Sequence, residues 1–63
     1  MTVKELDVVR LKKDFKDLVG GTKGVIVLEY DGTAFEVEFF DADGNTIDVV
    51  TTPADIIELV VKK

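Results

Sequence analysis

The side chains that most enzymes use for nucleophilic or metal chemistry are missing from this chain, whose 63 residues include no cysteine and no histidine. Zinc sites of the Cys/His type, thiol nucleophiles, disulfides and His-based triads are thereby excluded. Carboxylates are what remains. Glu36 and Glu38 alternate with apolar residues in the run FEVEFF and so share one face of an extended strand, with Asp48 able to join them from a neighbouring strand. Paired carboxylates do acid–base work only where burial raises one of their pKa values. On the outer face of a small domain both are solvated, and the pattern reads as a charged surface or a partner-docking acidic face. Asp41, Asp43 and Asn45 open like a calcium loop, but the sixth position is Thr46 rather than glycine and the twelfth is Thr52 rather than glutamate. A hairpin turn accounts for the same residues. Gly20-Gly21 lacks both the Gly-Lys-Ser/Thr ending and the following helix of a phosphate loop. No catalytic residue, cofactor, metal or small-molecule substrate is expected.

The elements that carry these residues follow from turn signals spaced about ten residues apart, an all-β rhythm. Gly20-Gly21, Gly24, Asp31-Gly32, Asp43-Gly44 and Pro53 punctuate the chain. Strands are predicted over residues 7–11 (DVVRL), 24–30 (GVIVLEY), 35–40 (FEVEFF), 46–52 (TIDVVTT) and 56–61 (IIELVV). In the third, Phe35, Val37 and Phe39 face one way and Glu36 and Glu38 the other; in the fourth, Ile47 and Val49 stand opposite Asp48. The Asp-Gly loops make strands two to four a meander. Residues 12–22 suit a long first loop, with one helical turn at 12–18 as a competing or coexisting feature, since Phe15 and Leu18 are three apart and Gly20 could stop a helix. The fold expected is all-β: a single domain over residues 1–63, built as a small five-stranded SH3-like barrel with a long first loop and a short helical turn before the last strand.

Composition narrows the function. The chain is 46% apolar and 33% charged, with a net charge of -5, which fits a folded domain rather than a disordered tail. No apolar run approaches the roughly 20 residues of a membrane span, and no signal peptide opens the chain. A cytoplasmic protein with no membrane partner is the expectation, in keeping with zero cysteine. Residues 24–61 contain nine acidic groups and no Lys or Arg, while the basic residues gather in Lys4, Arg10, Lys12, Lys13, Lys16, Lys23 and the C-terminal pair. A long acidic body repels a phosphate backbone, so nucleic acid is disfavoured. Arg10 is expected to pair with a carboxylate, with an interface role as the alternative, and Lys12, Lys13 and Lys16 to lie in a solvated loop.

Several stretches together resemble a known family. They are residues 5–11 (ELDVVRL), 21–27 (GTKGVIV), Tyr30, 36–41 (EVEFFD), Asp43-Gly44, Thr46 and 51–55 (TTPAD). In these the chain is similar to a family of small prokaryotic proteins classed as a domain of unknown function (four-nine-two-six), with a departure at Asp48-Val49-Val50. The resemblance implies an SH3-like fold and no catalytic residues, and allows an antitoxin- or immunity-like or accessory role. A weaker likeness to the KOW motif of ribosomal and transcription proteins runs through Gly21-x-x-Gly24-x-Ile26 and supplies the alternative, a nucleic-acid or ribosome-associated module that would use the basic residues.

The most informative feature is surplus hydrophobicity. A strand of an antiparallel barrel needs one apolar face, yet Val25–Leu28, Phe39-Phe40, Val49-Val50 and the last strand are apolar on both. The excess is either covered by the chain's own terminal segment or forms an association surface. The function expected is a non-enzymatic protein–protein interaction module, a homodimer in its simplest form. Phe40, Val50, Ile56 and Val60 would supply the apolar contact, and Glu36 and Glu38 the acidic border.

Overall fold

The computed structural model describes residues 6–60; Lys4 and Val61 lie outside the described residues. The elements in chain order are β1 (Val8–Leu11), β2 (Lys23–Glu29), β3 (Ala34–Phe40), β4 (Thr46–Pro53), a 3-10 turn (Ala54–Ile56) and β5 (Ile57–Leu59). All pairings are antiparallel and the strand order is β4-β3-β2-β1-β5. The all-β expectation and the short helical turn before the last strand hold. Among the described residues β4 and β5 do not pair, so the ladder is an open sheet rather than the closed barrel expected.

Each β2–β3–β4 connection rests on an aspartate that bonds its own turn. Asp31 Oδ1 accepts from Thr33 N–H at 3.0 Å and from Thr33 Oγ1 at 2.6 Å. Asp41 Oδ1 accepts from the N–H groups of Asp43 and Asn45, both at 2.9 Å, while Gly44 supplies the left-handed φ of 85° that the turn requires. The carboxylate of the calcium-like string is thus spent on the hairpin. The loop between β1 and β2 contains no helix. Phe15 and Leu18 exchange both backbone hydrogen bonds at 2.9 Å, closing a two-residue turn over Lys16-Asp17.

The core is made of Val9, Leu11, Leu18, Ile26, Phe35, Val37, Phe39, Ile56 and Ile57, with Phe15, Val50 and Ala54 packed against it. Strand β3 alternates strictly, its odd residues Phe35, Val37 and Phe39 buried and its even ones half-buried, as the sequence pattern requires. Val9, Ile26, Val37 and Phe39 are fully shielded. With no helix available, strands from the two ends of the sheet and the long loop (through Leu18) must cover this face, so the sheet curls over its own core.

A candidate protein-docking face on β2, β3 and β4

The opposite face of the meander is where the acidic residues and the surplus apolar residues meet. Register fixes three rows across β2, β3 and β4: Lys23–Phe40–Thr46, Val25–Glu38–Val49 and Leu28–Glu36–Thr51. Two irregularities decide who stands in them. The β2–β3 register slips between Ile26 and Leu28, making Val27 an extra residue and bringing Leu28 opposite Glu36. The β3–β4 register slips between Phe39 and Phe40, with Ile47 the extra residue, and this aligns Val49 with Glu38 and Val50 with Val37.

Ala54 N–H donates to Thr33 C=O at 2.9 Å, continuing the β3–β4 ladder. Counting back in steps of two, Phe35–Thr52, Val37–Val50 and Phe39–Asp48 are hydrogen-bonded pairs. Glu36–Thr51 and Glu38–Val49 are the intervening pairs, whose side chains approach more closely. Thr51 Oγ1 donates to Glu36 Oε1 at 2.8 Å, and Tyr30 Oη donates to the same oxygen at 3.1 Å. Thr46 Oγ1 donates to Glu38 Oε2 at 2.6 Å. These hydroxyls orient the carboxylates without neutralising them. Among the described residues the one ion pair is Arg10 Nε to Glu58 Oε2 at 2.6 Å, across the β1–β5 register, so neither Glu36 nor Glu38 has a basic partner. Around them Leu28 is 44% exposed, Val49 45% and Tyr30 53%, with Val25 and Phe40 half-buried.

Glu36, Glu38 and Phe40 therefore come together on one face. The other apolar residues expected there do not join them. Ile56 is a core residue, 8% exposed, because the 3-10 turn points it inward. Val50 packs on the core from the inner face of β4, where the bulge at Ile47 has placed it in exchange for Val49. Val60 is half-buried beside β1, where its N–H donates to Val8 C=O at 2.8 Å, with β1 and β2 between it and β3. Of the residues that do complete the face, Val25, Leu28, Tyr30 and Val49 carry one sequence signal, the two-sided apolarity of GVIVLEY and of Val49-Val50, while Thr51 is placed by register alone.

At the Phe40 end the face borders an open groove of about 630 Å³, lined by Val19, Thr22, Lys23, Phe40, Asp41 and Ile47. Nothing resembling a catalytic constellation is present there. The Asp31 carboxyl is held below its ordinary value by the Thr33 hydroxyl first and the Thr33 N–H second. Among the described residues no set of three His, Cys, Asp or Glu side chains is placed to hold a metal ion, and no helix is long and apolar enough to cross a membrane.

Comparison with known proteins agrees with the family reading. The family model described as a domain of unknown function, DUF4926, matches residues 5–59. No curated protein and no solved structure matches the chain. Since the match covers most of the 63 residues, the chain belongs to the DUF4926 family.

Proposed function

We propose that the chain is a non-enzymatic interaction module that binds a protein partner through the outer face of β2, β3 and β4. The observation that carries this reading is the pairing of exposed Leu28 and Val49 with two oriented carboxylates that have no basic partner among the described residues. The carboxylates stand on the middle strand with Val25, Leu28 and Val49 on the strands beside them, so apolar area and partner-selecting charge share one surface. Its architecture is read as SH3-like. The meander β2–β4, the pairing of β1 with β5, the long β1–β2 loop and the 3-10 turn before β5 support that reading, as does the curl needed to shield Val37 and Phe39. A cytoplasmic, accessory or antitoxin-like role in a prokaryotic cell is the biological form of the proposal, resting on the absence of cysteine and on the resemblance read from the sequence.

A second copy of the chain would suit the apolar flanks, but a two-fold contact on this face sets Glu36 and Glu38 against their own copies. An unlike partner fits better. The test is affinity capture from the native host with the wild-type chain and with the Leu28→Ser/Val49→Ser variant, whose fold is checked by circular dichroism. The expected result is a stoichiometric protein captured by the first and lost by the second. Equal capture by both would overturn the docking face.

A further inference from the structure

We infer that the partner presents a basic amphipathic helix, laid on this face with two Lys or Arg side chains one helical turn apart over Glu36 and Glu38; the inference rests on the docking reading above. Three observations narrow the occupant. The first is charge: two carboxylates held in place by Thr51, Tyr30 and Thr46, with no ion-pair partner among the described residues, suit basic groups from outside. Lys23, the one basic residue in the three rows, stands a row beyond Glu38 and makes no ion pair with it.

The second is spacing. Glu36 and Glu38 lie two residues apart on one strand face, about 7 Å at the usual strand rise. Helical residues at i and i+4 stand about 6 Å apart on one side, so a single turn matches the two acids. Apolar residues on the helix rows to either side of the basic pair then meet Leu28 and Val25 on β2 and Val49 on β4, which flank the carboxylates.

The third concerns the competing mode, an added strand on β4. The ladder parity leaves the backbone of Val49, Thr51 and Pro53 facing the free edge of β4. Val49 N–H already donates to Asp48 Oδ1 at 2.8 Å, and Pro53 has no N–H. Along that stretch only the N–H of Thr51 is left to receive a strand, too little for a ladder of main-chain bonds. The face, rather than the edge, is the surface available.

The experiment is selection of a displayed random 16-residue peptide library on the full chain, followed by affinity measurement at low and physiological salt. Each enriched peptide is also measured against Glu36→Gln/Glu38→Gln, which keeps the acceptor oxygens for the threonines, and against Leu28→Ser/Val49→Ser. The expected peptides carry two basic residues at i and i+4 between apolar ones and gain helicity on binding. They weaken by about tenfold or more with the Gln variant and weaken with salt, as two charge-assisted contacts would require. Peptides that lose binding to the Ser variant but ignore the Gln variant, or that bind extended, would overturn this inference and leave the docking face standing. Enriched peptides indifferent to both variants, or no enrichment at all, would overturn both.

Discussion

Gly24 is the position where a single atom matters most. A Cβ there would lie 2.7 Å from Val37 Cγ1, 2.8 Å from the carbonyl oxygen of Glu38 and 3.0 Å from Phe39 Cδ1. Backbone cannot give way as the end of a flexible side chain can, so Gly24→Ala should cost about 1–3 kcal/mol by overpacking. Denaturant unfolding reads this directly, and an unchanged midpoint would mean that β2 and β3 do not approach as described. Asp31 makes a different claim. Its folded pKa lies below the ordinary 3.8, so its bonds to Thr33 contribute stability that is full above that value and lost as pH falls through the folded pKa. Thr33→Val removes the larger of the two causes and should raise the Asp31 midpoint toward 3.8 in a carboxyl NMR titration, while an unmoved midpoint would discard the hydroxyl as its cause. At this scale the sequence spoke clearly where chemistry is local: the Asp-Gly turns and the pairing of Arg10 with a carboxylate were legible from composition and spacing. That Glu58 is the partner was not, because it depends on the pairing of β1 with a strand 48 positions away.

Strand identity was legible because period-two alternation and turn residues are local signals, whereas facing depended on two one-residue insertions. A bulge reverses the parity of everything beyond it. In TIDVVTT plain alternation groups Ile47 with Val49, but the slip at Ile47 sends Val50 to the core and Val49 to the outer face, so the exposed valine is Val49 rather than the Val50 that alternation leaves outside. The loop after β1 escaped for a similar reason. The helical spacing of Phe15 and Leu18 is satisfied equally by a two-residue turn that pairs them. Of the two central residues only Lys16 has positive φ, 54°, the pattern of a type II′ turn, whose first position favours glycine. Lys16→Gly should therefore raise stability by about 0.5 kcal/mol, after the extra chain entropy of glycine is set against the relief of the left-handed conformation. A fall in the unfolding midpoint would exclude that turn. The guarded edge of β4 makes a further prediction. Asp48→Ala/Pro53→Val frees one N–H and adds another, and should produce concentration-dependent self-association in sedimentation velocity, where the wild-type edge resists strand pairing. A variant that stays as dispersed as the parent would show that neither residue guards the edge.

For the molecule as a whole, the question is whether Glu36 and Glu38 serve the fold or the surface. Two carboxylates about 7 Å apart repel by about 0.6 kcal/mol at the dielectric of water, and salt reduces this further. Against that stand the hydroxyl bonds from Thr51, Tyr30 and Thr46, each exposed and each retained in large part by an amide oxygen. Neutralising both in Glu36→Gln/Glu38→Gln also removes two of the charges behind the net -5. The balance predicts that this variant is as stable as the parent or more stable by up to about 0.5 kcal/mol, with the gain largest at low ionic strength. Thermal unfolding across a salt series measures it. A small domain without disulfides has little stability to spare, so a variant that gains stability when the pair beside exposed Leu28 and Val49 is neutralised would place the role of the carboxylates at the surface rather than in the fold. If the Gln variant instead loses more than about 1 kcal/mol at every salt concentration, the carboxylates are hydrogen-bond acceptors that hold the meander together. The outer face is then scaffold, and the partner has to be sought at the groove beside Phe40 and Ile47.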